Sequence, residues 1–188
     1  IPITGAVYFL GVNPAFSETR FFKTQEHNVI VEVIARNLDH PWGLAFLPDG
    51  SFLVTERGGT LNLISPKGKL KKIAGVPKVW AKGQGGLLDV AVDTAFTQNS
   101  TIYLTYSQSS DDGKKAGTAL ARAELSLLAK ASLQNVKVIF SQGNKTGSGV
   151  HFGSRIVLAP DNKLFITVGD RGDRRRAQDP FDHAGSTI

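Results

Sequence analysis

A hairpin pattern that recurs at two distant places restricts the folds open to this 188-residue sequence. The segment GLAFLPDGSFLVTER begins at Gly43 and RIVLAPDNKLFITVGD begins at Arg155, and the two align without a gap around a Pro-Asp pair. Pro-Asp followed by Gly or Asn forms tight turns, and the apolar runs on either side favour antiparallel strands. Residues 86–93 and 101–107, joined by a longer connection, form a middle copy of the same unit.

Each unit contains more than the hairpin. In the first copy, short β-rich runs separated by turn residues occupy 43–47, 51–56, 60–65 and 70–76. Four strands per unit, repeated at a period of roughly 40–60 residues, are typical of β-propeller blades. Sandwiches and barrels also use short, evenly spaced strands, but they do not predict the same Pro-Asp hairpin in every unit. The sequence therefore predicts an all-β propeller fold.

Residues 119–133 are the segment where a helix competes with this fold. The run ALARAELSLLAKASL is rich in Ala and Leu, which are good helix formers. Because a blade would continue into 136–141, we expect a strand over 117–125 followed by a short turn. The sequence then holds about three blades. Since propellers have about 4–8 blades, we expect about half of a ring, truncated at the C-terminus.

The composition excludes several kinds of site. The sequence has no cysteine, which excludes disulfides, thiol catalysis and Cys-ligated metals. It has 22 Lys and Arg against 16 Asp and Glu, but aspartates interleave the densest arginine cluster, 171–176. No aromatic platform accompanies that cluster, which favours a solvated loop with internal ion pairs and no nucleic-acid partner. No His, Asp and Glu residues have the spacing of metal ligands, so no metal-binding residue is predicted.

The N-terminal residues 1–28 are predicted to be a lead-in to a propeller domain over 29–188. Residues 3–16 are apolar and uncharged. They are shorter than the ~20 residues that span a bilayer, but they have the length of the apolar region of a signal peptide. An N-terminal strand packed on the domain is the alternative. We expect the remnant of a signal peptide, a periplasmic or secreted location and no stable membrane insertion. Without an initial Met, the sequence is expected to be a fragment or a processed chain.

Two glycine-flanked loops carry the candidate site residues. Gln84 stands between glycines at the start of a predicted strand, and His151 precedes the inner strand of the third unit. Asp170 ends the next strand of that unit, so antiparallel pairing should place Asp170 beside His151. A carboxylate beside an imidazole fixes its tautomer, as a general base requires. A structural His–Asp hydrogen bond at the end of the hairpin is the alternative.

Four segments together resemble the soluble PQQ-dependent sugar dehydrogenases, and in particular the aldose sugar dehydrogenase branch of the glucose/sorbosone dehydrogenase family. They are HPWGLAFLPDGSFLVTER, GQGGLLDVAVD, HFGSRIVLAPDNKLFITVGDRGDR and AQDPFDHAGSTI, in a match running from about Val29 to Ile188. The resemblance implies a six-bladed propeller that binds pyrroloquinoline quinone (PQQ) and Ca²⁺ and oxidises aldoses at C1 to lactones. It implies His151 as the catalytic base, Asp170 as the carboxylate that orients it, and Gln84 as an amide that contacts PQQ.

The same resemblance implies a quinone or dye as electron acceptor, and Ca²⁺ ligands and basic PQQ contacts beyond Ile188. Val150 stands where some soluble glucose dehydrogenases carry an acidic residue, which favours the broader aldose branch. Two other functions remain open, a Ca²⁺-dependent lactonase propeller and a non-enzymatic propeller that binds carbohydrate or protein. The sequence does not determine which aldose is preferred or the oligomeric state.

Overall fold

A computed structural model describes residues 19–128, 130–161 and 163–188. The chain divides into two compact units, Ile1–Arg36 and Asn37–Ile188. The described part of the first unit is an antiparallel hairpin of β1 (Thr19–Lys23) and β2 (Asn28–Glu32). The boundary predicted between residues 28 and 29 falls inside this hairpin, because β2 starts at Asn28 and pairs with β1.

The apolar segment 3–16, which suggested a signal peptide, lies outside the described residues. Among the residues that are described, no helix is long and apolar enough to cross a membrane.

The regular secondary structure described in the second unit is almost entirely β-strand, as the sequence predicts. Their bounds, with one short helix, are β3 (Pro41–Phe46), β4 (Phe52–Glu56), β5 (Thr60–Ile64), β6 (Leu70–Ile73), β7 (Leu87–Val92), α1 (Phe96–Asn99), β8 (Thr101–Ser109), β9 (Ala116–Ser126), β10 (Ser132–Ser141), β11 (Gly153–Leu158) and β12 (Leu164–Val168). A 3-10 turn covers Arg176–Gln178. Helix α1 lies where the sequence predicted only a longer connection.

The strands form three successive antiparallel sheets, which we call blades. Blade 1 has the order β3-β4-β5-β6, blade 2 has the order β7-β8-β9-β10, and β11 and β12 begin blade 3. Backbone hydrogen bonds link Ile166 to Ile188 and Val168 to Ser186, which adds a third segment to blade 3. Residues 119–126 of the Ala- and Leu-rich segment lie in β9, so the predicted strand is confirmed there. Its alanines, such as Ala119 and Ala121, are fully buried and pack in the core.

An extra residue in the innermost strand of each blade shifts that strand's pairing with the second strand. The shifts lie between Pro41 and Leu44 in β3, between Leu87 and Val90 in β7, and between Gly153 and Ile156 in β11. At each shift, three residues of the inner strand span two residues of its neighbour, which defines a β-bulge. The sequence repeat is therefore also a repeat of backbone geometry.

A threonine of the second strand satisfies the free N–H group at each bulge. The Thr105 Oγ1 atom accepts the Asp89 N–H at 3.0 Å, and its hydroxyl donates to the Ser154 carbonyl of blade 3 at 2.7 Å. The equivalent hydrogen bonds run from Gly43 N–H to Thr55, from the Thr55 hydroxyl to the Leu88 carbonyl, and from Arg155 N–H to Thr167. The hydroxyls of Thr55 and Thr105 thus each join one blade to the next.

A buried carboxylate and two apolar clusters add further contacts between blades. Asp89 is 2% exposed, and its two oxygens accept hydrogen bonds at 2.8 Å from the Arg155 guanidinium and the Ile156 N–H. The cluster shared by blades 1 and 2 includes Leu53, Leu61, Leu87, Ile102 and Leu104. The cluster shared by blades 2 and 3 includes Leu120, Ile156, Ile166 and Val168.

We predict that Thr105→Val lowers the free energy of unfolding by about 1–3 kcal/mol, because it leaves the buried Asp89 N–H and Ser154 carbonyl without a partner at unchanged side-chain volume. Urea unfolding followed by circular dichroism measures the change. Thr187→Val is the control, because Thr187 is exposed, and we expect a change within about 0.5 kcal/mol. Equal effects of the two substitutions would contradict the bridging role of the Thr105 hydroxyl.

Candidate active site

Gln84 is fixed against the loop that carries His151. The Gln84 N–H donates to the Gly149 carbonyl at 2.7 Å, and the Gln84 Oε1 atom accepts the His151 N–H at 2.8 Å. Gly83 permits this close approach, because it has a φ of +58° and a Cβ there would lie 2.4 Å from the Gly149 oxygen. Among the described residues, the Gln84 Nε2 group has no acceptor, so its N–H donors are available to a ligand.

His151 and Asp170 lie in hydrogen-bond contact, as predicted from their distances to the hairpin turn. The His151 Nδ1 and Asp170 Oδ1 atoms are 2.7 Å apart. The imidazole is 55% exposed and the Asp170 side chain 23%, so the ring is the more accessible of the two. His151 has a φ of +53°, in the left-handed region that costs a non-glycine residue conformational energy. The contact therefore depends on the surrounding loops being held in place.

The Asp170 carboxylate is stabilised in its charged form. Its Oδ1 atom accepts the Gly172 N–H at 2.8 Å as well as the contact from His151. The Gly172 N–H, followed by His151, lowers the pKa of the Asp170 carboxyl below its ordinary value. A carboxylate that stays charged at neutral pH favours the His151 tautomer with a hydrogen on Nδ1, which leaves Nε2 as a proton acceptor.

The backbone before the start of β11 and the backbone after the end of β12 approach each other closely beside His151 and Asp170. The Gly169 N–H donates to the Phe152 carbonyl at 3.1 Å, and the Arg171 N–H donates to the His151 carbonyl at 3.3 Å. A Cβ at Gly169 would lie 2.0 Å from the His151 carbonyl oxygen, so a larger residue cannot occupy this position without moving the backbone. This close approach explains why glycine precedes Asp170.

A pocket of about 200 Å³ opens beside His151. Its lining residues are Trp42, Gln84, Leu88, His151, Phe152 and Gly153. The structure thus brings Gln84 and His151 to one pocket, with Asp170 contacting the imidazole. Trp42, which comes from blade 1, was not among the site residues predicted from the sequence. The Arg155 guanidinium lies 5.1 Å from the centre of a Trp42 ring, which ties this wall of the pocket to blade 3.

The arginine cluster after β12 differs from the solvated loop predicted from its sequence. Arg175 matches the prediction, because it is exposed and pairs with Asp173 in its own turn at 3.1 Å. Arg176, however, pairs at 2.8 Å with Asp182, and both side chains are largely buried. Arg171 is 2% exposed. Alternating charges predict ion pairs in a loop but do not reveal that the chain packs over this segment.

Within the described ranges, no group of three or more His, Cys, Asp or Glu residues is placed to hold a metal ion. These side chains therefore offer no carboxylate cluster for Ca²⁺ in the described residues, and we assign no step to Ca²⁺.

Comparison with known proteins shows the family to which this chain belongs. The glucose/sorbosone dehydrogenase family model matches residues 38–188. The chain therefore belongs to the glucose/sorbosone dehydrogenase family, and its fold is part of that family's β-propeller.

Individual relatives agree with this assignment. The chain is 47% identical over 154 residues to the aldose sugar dehydrogenase YliI of Escherichia coli, a match that covers 80% of this chain and 41% of the relative. It is 43% identical to the crystal structure of the E. coli soluble aldose sugar dehydrogenase in its apo form, with a TM-score of 0.74, covering 80% of this chain and 44% of the other.

A third relative is the PQQ-bound aldose sugar dehydrogenase from Streptomyces coelicolor. It is 26% identical with a TM-score of 0.75, and the match covers 93% of this chain and 48% of that structure. The chain thus spans less than half the length of the relatives it matches.

We predict that Gly169→Ala disrupts the candidate site more than Gly58→Ala does. A Cβ at Gly169 meets the His151 carbonyl, whereas a Cβ at Gly58 has nothing within 4 Å. We expect Gly169→Ala to lower the free energy of unfolding by about 1–3 kcal/mol, the cost of forcing backbone apart in a packed region, and Gly58→Ala to change it by less than about 0.5 kcal/mol. Thermal unfolding measures both. Comparable stability of the two variants would contradict the close approach.

Proposed function

We propose that this chain forms the proton-accepting part of an active site that oxidises aldose sugars at C1 to lactones with PQQ as cofactor. The observation that carries the proposal is the hydrogen bond between His151 and Asp170 at the edge of a pocket that Gln84 also lines. Family membership supports the reaction class, and the PQQ in the Streptomyces relative supports the cofactor.

In this mechanism His151 is the general base. The Asp170 carboxylate accepts the hydrogen of His151 Nδ1, so Nε2 carries a lone pair that can accept the proton of the sugar's C1 hydroxyl. As that O–H bond breaks, its electron pair forms the C1=O bond of the lactone. The nearby negative charge of Asp170 stabilises the imidazolium that results. PQQ, when bound, supplies the two-electron acceptor for the hydride that leaves C1.

The donor set of the pocket fits the quinone end of this cofactor. Quinone carbonyls accept hydrogen bonds, and the Gln84 Nε2 group donates them while its Oε1 atom is held by the His151 N–H. We therefore assign Gln84 to cofactor contact. The residues that line the pocket include no Lys or Arg to pair with the carboxylates of PQQ, so the proposal places only the quinone end against these residues.

We base the proposed substrate range and cellular location on the resemblance to the family. Val150, in the loop of His151, favours a broad aldose specificity over a strict preference for glucose. The electrons are expected to pass to a quinone or to a dye in the assay. We propose a periplasmic or secreted location, in line with the apolar segment 3–16.

We predict that His151→Asn lowers kcat by about 10²–10⁴-fold, because the general base is lost. The assay is PQQ-dependent dye reduction with a panel of aldoses in the full-length protein. PQQ binding, measured by absorbance titration, should be largely kept. His27→Asn is the control, since His27 lies in the exposed turn between β1 and β2, and we expect wild-type rates. Unchanged turnover in His151→Asn would overturn the assignment of the base. An inactive wild type that binds PQQ would overturn the proposed reaction.

A further inference from the structure

Arg171 is a buried cation that has no acidic partner among the described residues. Its side chain is 2% exposed, and no carboxylate of the described residues lies within ion-pair distance of it. Burial, followed by repulsion from Arg176, lowers its pKa to about 10, so it still carries its charge at neutral pH. Removing a guanidinium from water costs free energy, and an apolar side chain would fill the same space at a lower desolvation cost. The contacts of the Arg171 side chain should therefore explain why an arginine occupies this position.

Two contacts hold the guanidinium. Its Cζ atom lies 3.4 Å from the centre of the Phe152 ring, which is itself 3% exposed. Its Nη2 group donates to the Ser148 carbonyl, and the Nε and Nη1 groups have no acceptor in the part of the chain that is described. The planar group is thus used for stacking and for one hydrogen bond. A planar guanidinium stacks on an aromatic face in a way that a lysine ammonium cannot.

The contacts of Arg171 connect the two loops that hold the candidate catalytic pair. Arg171 follows Asp170 directly, and Phe152 follows His151 directly. His151 and Arg171 both have positive φ angles, +53° and +59°, which non-glycine residues keep only when surrounding contacts enforce them. Each partner of the stack is thus the residue that follows one member of the His151–Asp170 pair in the chain, in the loops just outside β11 and β12. The Ser148 contact ties the start of the same loop to Arg171.

We propose that Arg171 is a positioning residue, whose stack on Phe152 and bond to Ser148 hold His151 and Asp170 in hydrogen-bond register. This proposal rests on the proposed function for its consequence for turnover, but its structural part holds for the cofactor-free protein. Arg171 does not line the pocket and acts through the two loops.

The test compares four variants of the full-length protein. Arg171→Met removes the planar cation at similar length, Arg171→Lys keeps the charge but not the plane, and Phe152→Leu removes the ring from the other side. Arg175→Met is the matched control, because the Arg175 side chain is 89% exposed and, among the described residues, its guanidinium pairs only with Asp173 of the same turn. The first readout is the ¹⁵N and imidazole-proton NMR spectrum of His151 without PQQ, and the second is kcat and KM in the dye assay.

For wild type and Arg175→Met, we expect one imidazole tautomer with hydrogen on Nδ1 and a slowly exchanging Nδ1 proton. For Arg171→Met, Arg171→Lys and Phe152→Leu, we expect mixed tautomers and fast proton exchange. Their kcat should fall about tenfold to hundredfold, because small misplacements of a reacting group cost rate on this scale. In the two Arg171 variants, whose altered residue does not line the pocket, KM should change by no more than about twofold. If Arg171→Met does not fold, Arg171→Lys and Phe152→Leu give the same comparison.

Wild-type imidazole signals in Arg171→Lys or Arg171→Met would overturn the stacking role. An NMR change without a fall in kcat would overturn its consequence for turnover. Because the NMR readout uses no PQQ and no sugar, it tests the role of Arg171 even if the wild type shows no dehydrogenase activity, which would count against the proposed function alone.

Discussion

The interaction on which this structure depends is the threonine hydroxyl bridge that joins blade 1 to blade 2 and blade 2 to blade 3. A β-bulge leaves an N–H group without a partner, and in the protein interior such a group is costly. The threonine hydroxyl accepts that N–H and, in Thr55 and Thr105, donates to a carbonyl of the next blade. Because a hydroxyl can donate and accept at once, one side chain satisfies its own blade and joins it to its neighbour.

The candidate active site lies at the starts of these inner strands, so the bulges and bridges determine how its parts meet. Leu88 and Ser154, whose carbonyls receive the bridges, lie close in sequence to Gln84 and His151. Because Gly83 and Gly169 have no side chain, their backbones can lie in direct contact with the backbones of Gly149 and His151. The site is thus assembled from three blades, with the Trp42 wall from the first, Gln84 from the second and the His151–Asp170 pair from the third.

Much of this arrangement can be predicted from local pattern. The Pro-Asp turns and apolar alternation predict the hairpins, and comparable distances from one turn predict the contact of His151 with Asp170. Other features depend on segments that meet only in the folded chain. Trp42 looks like part of an ordinary turn, and Arg171 among aspartates looks solvated, because charge alternation carries no information about burial. Helix α1 is a single turn without a side-chain cap, so its sequence gives little signal.

The central claim is that His151, oriented by Asp170, accepts a proton while hydrogen leaves C1 of an aldose. The most direct measurement is single-turnover reduction of bound PQQ by stopped-flow absorbance, with an aldose carrying deuterium at C1 and, separately, at C2. We expect deuterium at C1 to slow the reduction and deuterium at C2 to leave its rate unchanged. The claim would be contradicted if no aldose reduced the bound PQQ. It would also be contradicted if deuterium at C1 left the rate of PQQ reduction unchanged under conditions where the chemical step limits that rate.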